Sequence, residues 1–407
     1  MRFSLNRISI VSFCLFVISI SLDPTGTIFR VKESMFVFCF FISFFYQETK
    51  KAISRDIQLI LWFCLLLPIW GIMVSLIRNN LEDISYAFGH FKSFLFIFIF
   101  FFLRNLNFEE INKVLFINGN IIAICTILIF IIAQINPNLF SVLYDQSIEN
   151  ANIIISRREY YGLSILGIYF KAGPLMFFSY IYSLYFSNKG RLKFVFILLN
   201  LFALLIAGSR TPTLMVIMIT IFFVYDNVKI NRFFRNAFLF VCFFSLMFLT
   251  YMLATEKGDA SNAVKYNDFN SYIKNIFIGI NPFVGAGLGS VFWGEGRGVF
   301  HSSSEQTYMD IIRIYGAFVV FFLILLVYYP ILVFLHCKYR HILKYQRFIL
   351  AYFLYMILAG TNPLLINSTG MLVWAIGLTL IYKINAERKS KVDDNTARMQ
   401  SIKQLGV

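Results

Sequence analysis

Long apolar runs separated by short polar segments recur from one end of the 407-residue chain to the other. Each run approaches the roughly 20 residues that an α-helix needs to cross the hydrocarbon core of a bilayer. The pattern therefore predicts an all-α, polytopic membrane protein with about twelve transmembrane helices. The predicted spans are residues 8–22, 34–47, 57–77, 88–104, 112–134, 163–186, 191–208, 211–226, 236–254, 306–335, 346–360 and 369–384.

Composition supports this class, and the distribution of charge orients it. Hydrophobic residues make up 59% of the chain and charged residues 14%, which excludes an ordinary soluble protein. Basic residues of membrane proteins collect in cytoplasmic connections, and with the N-terminus inside, every inner connection of this chain carries Lys or Arg. We therefore predict that both termini are cytoplasmic, and we assign the net charge of +15 to topology and not to nucleic-acid binding.

Two connections predicted on the outer side are much longer than the others, at residues 135–162 and 255–305. Loops of this length without secondary structure of their own are usually functional or disordered. The second contains aromatic residues and a glycine-rich turn from Pro282 to Gly289, which favour an ordered structure. We interpret residues 1–407 as a single membrane domain with one large outer loop and a polar cytoplasmic tail at 385–407.

Several basic residues lie on the outer side, where the topology rule disfavours them. Ionisable residues at or within a membrane are costly and usually line a cavity or a substrate path. The alternative is that their side chains reach out to lipid headgroups. The residues are Arg157, Arg158, Lys171, Arg210, Lys265, Lys274 and Arg297.

Arg210 is the most unusual of these, because almost no loop separates the two apolar runs around it. Ser209 and Thr211 flank the guanidinium, and Pro212 is well placed in the first turn of the next helix. Hydroxyl groups and an arginine fork together match the oxygens of a phosphate group. The stretch predicts an anionic, phosphorylated ligand, and its place at the membrane boundary favours a lipid phosphate.

His301 ends the large outer loop and precedes a helical pattern. Ser302 and Glu305 have the spacing of a capping box, which predicts a helix N-terminus there. Such a terminus attracts phosphate and disfavours imidazolium, so His301 would stay neutral and act as a base. Glu305 would either orient His301 or cap the helix. The alternative is that His301 is an ordinary surface residue of the loop.

The outer segments contain no pair of carboxylates at a spacing typical of metal-dependent transferases. Asp23 stands alone, and Asp259 and Asp268 are far apart in sequence. We therefore expect neither a metal site nor a cofactor.

Together these motifs resemble the O-antigen ligase/polymerase superfamily. The resemblance rests on the stretches 209–211 (SRT), 282–289 (PFVGAGLG), 301–316 (a His followed by a Gly) and 157–174, which is similar to an Arg-x-x-x-Gly stretch of the polymerases. It implies a GT-C-like, metal-independent glycosyltransferase of the bacterial inner membrane, with its active site facing the periplasm. The implied donor is a glycan on undecaprenyl pyrophosphate, whose leaving group arginines would hold while a histidine deprotonates the acceptor hydroxyl.

Two catalytic residues and one binding residue follow from the resemblance. Arg210 matches the SRT arginine, His301 matches the late-loop histidine, and either Arg157 or Arg158 matches the earlier polymerase arginine. Glu305 joins the predicted catalytic set. The predicted substrate-binding set consists of Arg157, Arg158, Lys171, Ser209, Thr211 and Arg297.

Two departures favour a polymerase of the Wzy type over a ligase. The segment before the glycine-rich turn lacks the arginine of the ligases, although Lys265 or Lys274 would supply a charge there without the bidentate fork. Ser302 also replaces the usual asparagine. The alternatives are a ligase that transfers the glycan to lipid A-core, and a flippase or transporter, which would show a path between two similar halves. The expected partners are undecaprenyl-pyrophosphate-linked oligosaccharides, membrane lipid and a chain-length regulator protein.

Overall fold

The computed structural model describes most of the chain and shows it to be mainly helical. Among the described residues, six helices are long and apolar enough to cross a membrane, in agreement with a helical polytopic protein. Their bounds are Leu5–Leu22, Arg55–Ile77, Ile84–Leu103, Phe108–Ile135, Ala317–Leu335 and Ser368–Arg388. The described residues are 2–24, 31–46, 52–150, 153–160, 163–185, 191–207, 210–227, 259–303, 306–337, 342–361 and 364–404, with scattered positions between 231 and 248.

Helices in the first half of the chain follow the predicted spans closely, and a hairpin interrupts them. The helices are α1 Arg2–Leu22, α2 Val31–Ser43, α3 Arg55–Ile77, α4 Ile84–Leu95, α5 Phe100–Leu103, α6 Phe108–Ile135 and α7 Pro137–Asn150. A 3₁₀ turn, Phe96–Ile99, joins α4 to α5. The antiparallel strands β1 Ile153–Tyr160 and β2 Leu163–Phe170 come next, with Ser156 opposite Gly167.

Helices of the second half surround a second, smaller hairpin. They are α8 Met176–Leu184, α9 Arg191–Ile206, α10 Arg210–Asn227, α11 Asp259–Ile276, α12 Asn281–Val284, α13 Thr307–Tyr315, α14 Ala317–Leu335, α15 Leu343–Thr361 and α16 Ser368–Gln404. The strands β3 Phe292–Gly294 and β4 Val299–His301 pair antiparallel between α12 and α13. The predicted span 236–254 lies largely outside the described residues.

The prediction of one continuous span at 163–186 is wrong. Its first eight residues form strand β2, and helix α8 has only nine residues. Nine residues rise roughly 14 Å, which is too short to cross a bilayer. A short apolar run of β-branched and aromatic residues is ambiguous between strand and helix, and here the partner strand β1 decides in favour of a strand.

The predicted long span 306–335 is divided at Gly316, which has a φ of 85° and separates α13 from α14. Only the α14 part qualifies as a membrane-length helix. The described part of the large connection, residues 259–303, contains α11, α12 and the β3–β4 hairpin. Helix α16 continues into the predicted tail, as far as Gln404.

Burial separates helices at the centre of the protein from helices at its edge. The apolar part of α16 is 83% buried, whereas that of α14 is only 28% buried. The exposed side of α14 carries large apolar residues such as Phe318 and Phe321. Contiguous apolar surface of this kind is rare on soluble proteins and is stable against lipid.

The glycine-rich turn is locked between α3 and α13. The amide of Gly287 donates to the carbonyl of Ile314 at 3.0 Å, and the amide of Leu288 donates to the carbonyl of Gly71 at 2.8 Å. Gly287 has a φ of 96°, and a Cβ atom there would collide with Ser75. Only glycine therefore allows this backbone to approach α3 so closely.

Candidate functional site: a lysine-lined cavity

A cavity of about 480 Å³ opens at one end of the protein. It lies where the start of α2, helix α4, the β1–β2 hairpin, helix α13 and residues 364–367 meet. Each of these segments is a connection predicted on the outer side or a helix end next to one. The side chains that matter below are Lys32, Tyr86, His90, Lys92, Lys171 and Asp310.

Three lysines from distant parts of the chain line this cavity. Lys32 is 3% exposed, and its ammonium group donates to the carbonyl of Pro24. Lys92 forms a 2.8 Å ion pair with Glu33 at the outer edge. Lys171 follows β2, and in the described part of the chain no carboxylate forms an ion pair with it. The wall of the cavity therefore carries positively charged side chains that can bind an anionic ligand.

Two of these lysines, Lys32 and Lys171, have lowered pKa values. Burial lowers the pKa of Lys32 to about 8, and the charges of Lys92 and Lys171 act in the same direction, against those of Glu33 and Asp23. Burial also lowers the pKa of Lys171. An anion bound among the three ammonium groups would raise these pKa values again, because a nearby opposite charge favours the charged form of a lysine.

The floor of the cavity is held by a buried arginine that the sequence interpretation did not select. The guanidinium of Arg313 donates to Asp310 Oδ1 at 3.1 Å, to Ser290 Oγ at 2.8 Å and to the carbonyl of Ser302 at 2.6 Å. It also lies 4.7 Å from the ring centre of Phe292. Arg313 thus ties α13 to the glycine-rich turn and to the end of the β3–β4 hairpin.

Asp310 faces the cavity from this floor. Its Oδ2 accepts a hydrogen bond from the hydroxyl of Tyr86 at 3.1 Å, and its Oδ1 accepts one from Tyr272 at 3.4 Å. Burial raises the pKa of the Asp310 carboxyl, while the Arg313 charge and the hydrogen bonds from Arg313 and Tyr86 favour its ionised form. The carboxylate is therefore positioned from several sides.

The helix that the Ser302 capping-box spacing predicts does not start at Ser302. Helix α13 begins at Thr307, and its N-cap residue, Gln306, makes no side-chain capping bond. The hydroxyl of Ser302 instead donates to Asp83 Oδ2 at 2.7 Å, and Asp83 caps α4 by accepting from the amide of Tyr86. Ser302 thus bonds to Asp83, a residue distant in sequence, and the S-x-x-E spacing could not reveal this contact.

His301 ends strand β4 beside the cavity without lining it. Its Nδ1 lies 2.8 Å from the carbonyl of Ser303, which can only accept, so Nδ1 carries the proton and Nε2 has the free lone pair. Nε2 is buried without a hydrogen-bond partner among the described residues, and it faces Gly294, where a Cβ atom would collide with it. In this arrangement the basic nitrogen points into the hairpin.

His90 also lies in the cavity wall. Its ring packs between those of Tyr86, Phe94 and Tyr315, with ring centres 5.4 to 6.0 Å apart. Within the described residues its Nε2 has no hydrogen-bond partner. It adds an unsatisfied imidazole nitrogen to the wall.

Of the predicted binding residues, the structure describes the side chains of Lys171 and Arg297, and of these two Lys171 lines the cavity. Arg297 lies in the turn of the β3–β4 hairpin, 3.6 Å from the carboxylate of Asp268. Lys274 is exposed and pairs with Glu295 at 2.6 Å. These two cations therefore belong to the hairpin surface.

The other predicted residues are described only in part. Arg157 and Arg158 lie on β1 opposite Leu166 and Ile165. Arg210 is the first residue of α10. The side chains of Arg157, Arg158, Arg210 and Thr211, and all of Ser209 and Glu305, lie outside the described residues.

Sequence reasoning missed Lys32 and Lys92, although a signal was present. Both are ionisable residues near the predicted outer ends of spans, which is the criterion that selected Lys171. Their distance from each other in sequence hid the cluster.

The fold and the cavity define a multi-pass helical membrane protein with a cationic site at one end. Over 305 residues, the chain is 25% identical to an O-antigen polymerase of Shigella flexneri; the matched region covers 70% of this chain and 73% of that protein. No family model matches the chain. No solved structure matches it either.

Proposed function

We propose that the protein is an O-antigen polymerase of the Wzy type, which joins undecaprenyl-pyrophosphate-linked oligosaccharide repeat units. The observation that carries this proposal is the cavity lined by Lys32, Lys92 and Lys171. Three ammonium groups suit the two phosphates of such a donor. The similarity to an O-antigen polymerase supplies the class of glycan and the reaction.

The predicted topology supports a periplasmic site. The cavity is built from segments near residues 24–32, 86–96, 154–171, 303–311 and 364–367. With a cytoplasmic N-terminus, the first two of these segments fall at the outer side of the inner membrane, and the other three line the same cavity and therefore lie on that side as well. The C-terminus then lies in the cytoplasm with the end of α16.

In the proposed reaction, a hydroxyl of the acceptor repeat attacks the anomeric carbon of the donor glycan. The bond between that carbon and the pyrophosphate oxygen breaks, and the pyrophosphate leaves with the electron pair. Fixed cations stabilise the negative charge that develops on the leaving oxygen. Lys32, Lys92 and Lys171 take this role in the cavity, and Arg210 with Ser209 and Thr211 contributes a bidentate contact.

His301 is proposed to accept the proton of the acceptor hydroxyl, with Glu305 orienting it. The tautomer supports this role, because Nε2 keeps its lone pair. Since Nε2 faces Gly294, the β3–β4 hairpin has to shift before that nitrogen meets a substrate. Arg297, on the same hairpin, is proposed to contact the glycan as it enters, and Arg157 or Arg158 is proposed to do so from β1.

A gel ladder of surface lipopolysaccharide tests the function. Cells that lack the protein should show a single band of core plus one repeat, and the wild-type gene should restore the ladder. Complete loss of capped core, with lipid-linked polymer accumulating, would instead assign the protein as a ligase. An unchanged ladder in the deletion strain would overturn the proposal and favour transport or another glycan. A chain-length regulator protein is a proposed partner, and it would alter the ladder's length distribution without abolishing it.

A further inference from the structure

An apolar turn joins α11 to α12 on the outside of the protein. We define the apolar turn as residues 277–283, which contain no charged side chain. Phe277, Ile278, Ile280 and Phe283 are 60 to 72% exposed. Four large apolar side chains so close together on a surface indicate contact with an apolar partner.

The ends of two membrane-length helices lie next to this turn. Asn281 accepts a hydrogen bond from Arg78, the residue that follows α3. The carbonyl of Phe283 packs against Gly316, the residue that precedes α14. Exposed apolar side chains continue on both sides, with Ile77 on α3 and Phe318 on α14. The turn therefore extends an apolar band that the two helices already present outward.

The segment that follows the apolar turn runs back alongside helix α3, away from the end of that helix. Leu288 bonds to the carbonyl of Gly71, which is seven residues before Arg78. At about 1.5 Å per residue, Gly71 lies roughly 10 Å below the end of α3. Non-helical backbone at such a depth is tolerated where protein buries it, and Gly285 to Ser290 are buried. The apolar turn is the outward-facing edge of this re-entrant segment.

We propose that the apolar turn is seated in the bilayer leaflet next to the cavity, with Phe277, Ile278, Ile280 and Phe283 against lipid acyl chains. The large connection 255–305 would then be anchored on the membrane at its middle. That anchor would fix the base of the β3–β4 hairpin beside the cavity. The inference concerns a lipid-contacting surface and is independent of the proposed enzymatic activity.

The β3–β4 hairpin offers a matched control. Phe300 is 68% exposed, similar to the 72% of Phe283, and belongs to the same connection. Its ring packs on Trp293 of the paired strand, 5.1 Å between ring centres. In the hairpin turn beside them, Glu295 pairs with Lys274 and Arg297 pairs with Asp268. A probe at Phe300 therefore reports exposure to water near the same membrane.

Photo-crosslinking of the full chain in liposomes tests the proposal. Benzoylphenylalanine would replace either Phe283 or Phe300, in vesicles of phosphatidylethanolamine and phosphatidylglycerol, and mass spectrometry would follow irradiation. We expect phospholipid adducts at position 283 and only background at position 300. Equal adduct yields at the two positions, or no adduct at position 283, would overturn the proposal. A crosslinked dimer formed through position 283 would also overturn it, by assigning the surface to a second copy of the chain.

Discussion

Arg313 Nη2 lies 3.1 Å from Asp310 Oδ1, one turn away on the same helix, and both side chains are buried. The same guanidinium also holds the carbonyl of Ser302 and the hydroxyl of Ser290. A short helix of nine residues thereby joins the cavity floor, the glycine-rich turn and the hairpin that carries His301. The site depends on this junction even though neither Arg313 nor Asp310 was selected from the sequence.

Replacement of Arg313 by lysine should destabilise the protein despite keeping the charge. Lysine cannot reproduce the fork that bonds Asp310, Ser290 and Ser302 together. Removing one partner of a buried, hydrogen-bonded pair typically costs about 3–5 kcal/mol. We expect a clear drop in melting temperature in detergent. Arg297→Lys is the control, because Arg297 is 43% exposed and its ion pair is long at 3.6 Å, and it should change stability by about 1 kcal/mol or less. Equal melting temperatures for the two variants would contradict the role of Arg313.

Lys32 should give the protein a distinctive pH dependence. Its pKa is lowered to about 8 in the folded state from an ordinary 10.5, so between these values the unfolded chain binds more protons. Stability of the unliganded protein should therefore rise with pH in that interval. Affinity for a diphosphate should fall over the same interval, because Lys32 loses its charge. Both trends should weaken in Lys32→Met, as measured by thermal unfolding and by binding of undecaprenyl pyrophosphate across pH 7 to 10.5. Identical pH profiles for Lys32→Met and the wild type would refute this assignment.

Arg210→Ala should abolish long-chain polymer while the protein still inserts into the membrane. Arg210→Lys should restore only part of the activity, because a single ammonium group replaces a bidentate contact. The lipopolysaccharide ladder gives the activity, and the amount of protein in the membrane fraction gives the control. A normal ladder from Arg210→Ala would show that Arg210 does not contribute to the site.

His301→Ala should reduce the ladder to core plus one repeat if His301 is the base. A base contributes about 10²–10⁴-fold to a rate, so residual short products are expected. The donor should still bind, because the lysine cavity does not include His301. Loss of donor binding together with activity would point instead to a structural role for the His301–Ser303 contact.

The membrane-length helices could be predicted because length and polarity decide them locally. Residues 57–77 became α3 almost without change, since a long apolar run leaves few alternatives. Residues 163–170 did not become a helix, because pairing with β1 decided between strand and helix. The helix start predicted at Ser302 was wrong for a similar reason, since the hydroxyl of Ser302 donates to Asp83, more than two hundred residues away, and α13 begins only at Thr307.

From the sequence, members of the candidate site could be predicted only one at a time and not as a cluster. Lys171 was found because a cation near a predicted membrane boundary is unusual. Its neighbours Lys32 and Lys92 lie on helices α2 and α4, and no local sequence pattern links the three lysines. Arg313 was hidden because an arginine one turn after an aspartate is common on ordinary helices.

The central claim is that the lysine cavity holds the pyrophosphate of a lipid-linked glycan during polymerisation. The direct measurement is product formation by the purified protein in liposomes, supplied only with undecaprenyl-pyrophosphate-linked repeat units. We predict a ladder of lipid-linked oligomers with the wild type, and weakened donor binding with Lys171→Gln, about 10-fold or more, because a bond to a charged group contributes about 1.5–3 kcal/mol. Lys274→Gln, at an exposed lysine paired with Glu295, should behave as the wild type. No oligomers from the wild type, or equal donor affinity for Lys171→Gln and Lys274→Gln, would contradict the account.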